Sequence, residues 1–323
     1  MDLSIVIVNW NTRDILRGCL KSIYEQTNNI EFEVIVVDNG STDKSIEMIK
    51  TDFPKVIIIK NSGNLGFAAA NNQGIKIAKG RYVLLLNSDT VVLDNALAKT
   101  VLFADEHLEA GIVTCAVLNA NKTPQDTCFI SPSILNMFLS STYLYKLFPG
   151  SKYFDRERMP EWAKNDVKEV DMVAGCFMLV RREAIEQVDM MDEQFFMYGE
   201  DADWCYRFRK AGYKILFTPD AKIIHLEGES SKKAVTEMIL LRRGSKLLFF
   251  KKHKGWFVYI LACLFITLFF FLRVPYWAMK TLFSKKNERR KHIKVMCTYI
   301  IGGFYALIGG SRLYQVNTKW KLI

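Results

Sequence analysis

YVLLLNSDT, residues 82–90, decides the fold. Five apolar residues run without a break and then give way to Asn87, Ser88 and Asp89. A strand with one wet face alternates apolar and polar residues, whereas an unbroken run belongs to a strand covered on both faces, as in a parallel sheet flanked by helices. Four more runs read the same way: LSIVIVNW (3–10), FEVIVVDN (32–39), KVIIIKN (55–61) and GIVTCAVLN (111–119). Helix-length segments separate them, such as RDILRGCLKSIYEQT (13–27), whose Ile15, Leu16, Cys19, Leu20 and Ile23 fall on one stripe. The alternation predicts an α/β chain with a mostly parallel, doubly wound, Rossmann-like sheet.

In such sheets ligands gather at the carboxyl ends of the strands, and the polar residues of this chain gather there too. The first strand ends in Asn9, Trp10 and Asn11, the second in Asp38 and Asn39, the third in Asn61 to Asn64, the fourth in Asn87 to Asp89. Turn chemistry accounts for Asn39, Gly40 and a helix-capping Ser41, Thr42 or Asp43. It does not account for Asp38, which follows four apolar residues and stands at a strand tip, free to accept from a ligand. GNLGFAAANNQG (63–74) adds glycines and alanines at a helix start, where a ligand can approach the backbone.

Composition narrows the field. The seven cysteines are scattered, form no CxxC pair, and read as reduced thiols filling a core. The net charge of +10 is lopsided: residues 242–323 hold 17 Lys and Arg against one acid, Glu288, while residues 1–241 hold 27 basic and 33 acidic residues. Basic residues that bracket very apolar stretches point to an anionic lipid surface rather than to nucleic acid. The first strand and turn lack GxGxxG, which disfavours a Rossmann-fold oxidoreductase, and no Lys completes a P-loop. A catalytically inactive nucleotide-binding membrane scaffold is the other alternative.

VVDNGSTD, NLGFAAANNQG, LNSDT and FFMYGEDADWCYRFRKAGY, in this order and spacing, resemble the family 2 glycosyltransferases of the GT-A fold, most closely their rhamnosyltransferase-like bacterial members. The resemblance covers residues 1 to about 230. It implies an inverting enzyme that moves rhamnose or another hexose from a UDP- or dTDP-sugar to an acceptor hydroxyl, assisted by Mg²⁺ or Mn²⁺. On that basis Asp38 reads a pyrimidine base, and Asn71 stands where many relatives carry an Arg. Asn9, Asn11, Asn64, Gly66 and Gly175 join the nucleotide-sugar site. Asn87-Ser88-Asp89 takes the place of the DxD motif with its first acid replaced by an amide, so that Asp89 ligates the cation and Asn87 is either a ligand contact or a turn residue. His225, from a pattern similar to HxxGxS, is expected as a second ligand, and Ser230 as a residue that helps hold a phosphate. Asp201 is the expected general base beside Glu200. Asp203 and Trp204 are expected to meet the acceptor, and Arg207 to hold the acidic cluster in place.

The chain divides on this reading into a catalytic domain, residues 1–240, and a basic, hydrophobic, membrane-associating region, residues 241–323. Residues 120–168 interrupt the sheet without clear periodicity and either cover the acceptor or touch a membrane. WFVYILACLFITLFFFL (256–272) and VMCTYIIGGFYALIGG (295–310) are apolar enough to enter a bilayer. Two full spans would leave the basic loop between them outside, against the positive-inside tendency, so an interfacial or re-entrant tail is preferred and one true span is the alternative. The expected setting is the cytoplasmic face of the inner membrane, against its anionic leaflet, with a lipid-linked saccharide as acceptor for cell-surface polysaccharide.

Overall fold

The computed structural model describes residues 1–226, 235–310 and 313. Ser230 lies outside them. The first half alternates β1 (Leu3–Asn9), α1 (Arg13–Gln26), β2 (Phe32–Asp38), α2 (Ser45–Asp52), β3 (Ile57–Lys60), α3 (Phe67–Ile77), β4 (Tyr82–Leu86), β5 (Thr90–Val92), α4 (Ala96–Glu106) and β6 (Ala110–Leu118). Then come β7 (Cys128–Phe129), α5 (Ile134–Ser141), α6 (Leu144–Leu147), β8 (Lys168–Glu169), β9 (Met172–Val173), β10 (Phe177–Arg181), α7 (Arg182–Val188), α8 (Glu200–Lys210) and β11 (Lys214–His225). Helices α9 (Val235–His253), α10 (Gly255–Phe271), α11 (Val274–Leu282) and α12 (Lys286–Leu307) follow.

The main sheet runs β3-β2-β1-β4-β10-β6-β11-β5, with β8 on β11. All five expected strands are present, and the burial explains their unbroken apolar runs. In β4, Tyr82, Leu84 and Leu86 enter the core under α1, α2 and α4, while Val83 and Leu85 enter the opposite core under α3, α7 and α8. Successive side chains of a strand point to opposite faces, so with helices on both faces neither set can be polar. Each such side chain contributes roughly 1.5–3 kcal/mol by leaving water.

Three strands depart from the parallel pattern: β5 and β8 both pair antiparallel with β11, and β10 is the third. β10 is antiparallel to both β4 and β6. The reversal has a consequence for the site: the start of β10 lies beside the carboxyl end of β4, Phe177 opposite Leu86, and Asn87 N donates to Cys176 O at 3.1 Å. Gly175 is thereby delivered to the same sheet edge as Asp89. The cysteines are free, six of them buried and Cys297 exposed.

The expected boundary between residues 240 and 241 falls inside α9. A third core joins that helix and its successors to the body, with Phe195 and Ala202 packed among Leu247, Phe249, Ile266, Phe270 and Tyr299. α12 runs back along α10 and α11: Tyr299 stacks on Phe269, and Tyr259 Oη donates to Gly309 O. The stretch Gly255–Leu282, α10 with α11, is the one helical stretch among the described residues long and apolar enough to cross a membrane by length and composition.

Candidate functional site

The carboxyl ends of the first strands open into a cavity of about 320 Å³ lined by Asn64, Gly66, Asn87, Ser88, Asp89, Gly175, Glu200, Asp201 and His225. Nine residues expected at the site therefore meet in one place.

Strand pairing makes the first constellation. β5 pairs antiparallel with the end of β11, Thr90 opposite His225, and Leu226 N donates to Asp89 O. His225 Nε2 then lies 3.1 Å from Asp89 Oδ1 and 3.2 Å from the Asn87 side-chain nitrogen. On its other side His225 Nδ1 is 2.7 Å from Gln125 Oε1. An amide oxygen accepts, so Nδ1 carries the proton there and Nε2 is left to meet Asp89 with a lone pair. Asp89 Oδ1 and His225 Nε2 thus converge from two strands beside the Asn87 amide, close enough to ligate one cation. Among the described residues no three His, Cys, Asp or Glu side chains cluster tightly enough to hold a metal alone. A site with one carboxylate and one imidazole suits a divalent cation that keeps waters and takes its remaining ligands from substrate oxygens. Asp89 and His225 thus fit a divalent cation such as Mg²⁺ or Mn²⁺, with the Asn87 amide beside them.

The second constellation sits at the first turn of α8. Tyr198 and Gly199 both have left-handed backbone, with φ of 67° and 85°. For Tyr198 this is strained geometry of the kind the surrounding structure must hold. The double turn swings the chain so that α8 begins with Glu200 and Asp201 at the cavity wall. Burial pushes both carboxyls above the ordinary carboxylate range, Glu200 further because of Asp201, while backbone N–H groups including those of Ala202 and Gly175 partly restore the charge on Asp201. Glu200 is 5% exposed and its Oε2 has no hydrogen-bond partner, so at that oxygen nothing offsets the cost that burial puts on its charge.

Other expected contacts are placed elsewhere. Asp38 is fully buried; its oxygens accept from Asn9 Nδ2 at 2.8 Å and Ser41 N at 2.8 Å. It organises the loop after β2 instead of facing the cavity. Asn9, also fully buried, supports it, and Asn11 accepts from Thr42 N at 2.8 Å, pinning the same loop. Asn71 is 1% exposed and donates to Phe67 O within α3, away from the cavity lining. Asp203 and Trp204, expected to meet the acceptor, are both fully buried and do not line the cavity. Trp204 packs edge-on to Phe208 and donates to Asp189 O at 2.9 Å.

Asp203 has a structural task. Its Oδ2 accepts from Arg207 Nε at 2.9 Å, as expected of that arginine, and its Oδ1 from Lys252 Nζ at 2.6 Å and His253 Nε2 at 2.7 Å. Burial works to raise its pKa, but these partners hold it below the usual carboxylate range. Asp203→Asn removes a fully buried carboxylate from Arg207 and Lys252, which keep 21% and 24% of their side-chain surface in contact with solvent, and is expected to cost about 1–3 kcal/mol. A lowered carboxyl contributes stability above its unfolded pKa and loses it as pH falls through the folded one. Urea unfolding should therefore show a gap between Asp203→Asn and the parent at pH 7 that narrows in acid; equal stability at pH 7 would remove the clasp from the account.

Trp10 and Asn39, noted at the strand ends but given no role, also line the cavity, whereas sequence reasoning missed Tyr198 and Arg242 in the lining and Gln125 behind His225. Arg242 was counted among the charges of the tail. Its guanidinium stands 4.4 Å from the Tyr198 ring centre. For Gln125, a hundred residues from its partner, no local signal exists.

Residues 4–189 match the family model described as glycosyl transferase family 2. The low-salt glycan biosynthesis hexosyltransferase Agl10 of Haloferax volcanii is 26% identical over 66% of this chain, which spans 64% of that relative's length. An N-acetylglucosaminyl-diphospho-decaprenol L-rhamnosyltransferase of Mycobacterium tuberculosis is 24% identical over 79% of this chain and 86% of its own. Among solved structures, GalNAc-T7 with UDP, GalNAc and Mn²⁺ superposes with a TM-score of 0.55 at 18% identity, covering 78% of this chain and 51% of that one. That likeness shows the fold, which is the GT-A architecture expected from the sequence.

Proposed function

The chain belongs to glycosyl transferase family 2, and on that premise we propose that it is an inverting enzyme that moves a sugar, rhamnose or another hexose, from a UDP- or dTDP-sugar to a hydroxyl of a lipid-linked saccharide in envelope polysaccharide synthesis. The carrying observation is that the Asp89–His225 pair and the carboxyl of Asp201 line one cavity. In this reading the donor's diphosphate lies over the strand tips and its sugar points toward Gly175 and Asp201. Asp201 takes the proton of the acceptor hydroxyl as its oxygen bonds to the anomeric carbon; the bond from that carbon to the diphosphate oxygen breaks, and its electron pair leaves with the nucleoside diphosphate. Attack opposite the leaving group inverts the configuration. A divalent cation held by Asp89 and His225 supplies neutralisation of the diphosphate charge.

The tail supports a membrane setting. Trp256, Phe257, Leu264, Leu272, Met279, Leu282 and Phe283 are exposed apolar side chains on α10, α11 and the turn beyond, and Lys and Arg crowd both ends of this surface. Such a pattern favours an anionic interface. α10 is also tied to the body at its far end, where buried Arg273 donates to Ser141 O at 3.0 Å and Ser140 O at 3.2 Å in α5. A helix held alongside the body favours lying on the cytoplasmic leaflet over crossing it.

The test is a panel of nucleotide sugars, with and without Mn²⁺ or Mg²⁺, offered to the full chain together with a polyprenyl-diphosphate saccharide, and flotation with anionic vesicles. A UDP- or dTDP-sugar should be consumed with an inverted product, and the protein should float. Failure to bind or turn over any nucleotide sugar sinks the enzymatic reading, and failure to float sinks the membrane one.

A further inference from the structure

On the far side of Asp201 lies a second cavity of about 450 Å³. It meets the first at Tyr198, Asp201 and Arg242, which line both. One wall comes from the insertion, through α5 and the segment around residues 154–158, and the other from α9. The two segments whose purpose the sequence left open, the aperiodic insertion and the start of the basic tail, thus enclose one space beside the proposed base.

Its charges do not cancel. Lys246 pairs with Glu157 at 3.3 Å and Arg158 lies 3.9 Å from Asp155. Among the described residues Arg243 has no ion pair: its Nη1 is buried without a hydrogen-bond partner, and its guanidinium rests 3.6 Å from the Phe269 ring centre. Burial, with Arg273 nearby, pulls its pKa down to about 10, so the charge is held under strain that an anion relieves. Asn136 faces the same cavity at 5% exposure, and neither its Nδ2 nor its Oδ1 has a partner. Buried polar groups of this kind each cost about 1–3 kcal/mol when unmet. Two of them lining one cavity mark a place for ligand oxygens. The remaining wall is apolar and aromatic, with Leu139, Tyr145, Phe154 and Phe249.

We infer that this second cavity is the acceptor site, and that Arg243 and Asn136 bind the phosphoryl oxygens of a phosphate-linked lipid while the aromatic wall takes the first part of its chain. The inference rests on the glycosyltransferase reading, and it names what that reading leaves open, the group that identifies the acceptor. Guanidinium pairs with phosphate through charge-assisted hydrogen bonds; Asn136 supplies a neutral donor beside it. Held there, the lipid's saccharide extends past Tyr198 to Asp201, and the chain leaves toward the exposed apolar face of α10 and α11.

Farnesyl diphosphate, a short polyprenyl diphosphate, is the probe, and inorganic pyrophosphate the control, in titrations of the full-length protein. The parent should bind farnesyl diphosphate at least tenfold more tightly than pyrophosphate, without competing with UDP. Arg243→Gln and Asn136→Asp should each weaken it tenfold or more. Arg243→Gln removes a group without a hydrogen bond at Nη1, and thermal unfolding of both variants checks that they fold. Equal affinity for the two probes overturns the lipid assignment; competition with UDP, or full affinity in both folded variants, overturns the site. UDP binding read on the same samples tests the first cavity separately, so loss of UDP binding with farnesyl diphosphate binding intact indicts the donor reading and not this one.

Discussion

Asp201→Asn is expected to lower the transfer rate by about a thousandfold while nucleotide binding persists. A positioned general base contributes roughly 10²–10⁴-fold, and no second carboxylate is ready to replace this one, because Glu200 is more deeply buried and its raised pKa favours the protonated form. Glu200→Gln imitates that neutral form and should cost far less. Since Asp201 must be ionised to accept a proton, activity should fall as pH drops through its titration, and burial places that acid limb above the range of an ordinary aspartate. Single-turnover rates across pH, with UDP affinity measured in parallel, decide the matter. Transfer by Asp201→Asn at the parent rate, or an acid limb at the usual aspartate position, removes Asp201 as base.

Asp89→Ala should be nearly as severe, roughly a hundredfold or more, because a cation on a diphosphate supplies several kcal/mol of charge stabilisation. The loss should appear first in binding: Mn²⁺ should no longer tighten UDP. The structure adds a contrast to this expectation. Asn87 contacts His225 through its side chain but brings no charge, so Asn87→Ala should shift the metal requirement modestly. Metal-dependent UDP binding that survives Asp89→Ala would dismiss the Asp89–His225 pair as a cation site.

These sites were legible to different depths, and the reason is geometric. A strand tip is a local event: apolar residues stop, polar ones begin, and the sheet carries them all to one edge. That is why Asn64, Asn87, Ser88 and Asp89 stood out in the chain, whereas Gly175, just before β10, came only from the family resemblance. Tips do not reveal which polar groups turn outward, however. Asp38 and Asn9 satisfy each other in the core, and nothing in VVDNG distinguishes them from an exposed pair. On α8 the same difficulty is rotational. Asp201, Asp203 and Trp204 lie within one turn, yet the helix faces only the first toward the cavity and sends the other two into packing and charge pairing. The second cavity was invisible for another reason. Its walls come from residues about a hundred positions apart, one wall without periodicity and the other read as bulk positive charge, and only the packing of α9 on the body brings Asn136 and Arg243 together.

The clasp of Asp203 by Lys252 and His253 bears on how such enzymes diversify. The acid belongs to the first turn of the helix that carries Asp201, and two of its hydrogen-bond partners, Lys252 and His253, belong to the last turn of α9. A tail without Lys252 and His253 would leave Asp203 with Arg207 alone, its Oδ1 stripped of both donors inside the protein. Exchanging the tail at this junction is therefore expected to call for a matched change on α8, because the same contacts tie the hydrophobic appendage to the helix that carries Asp201.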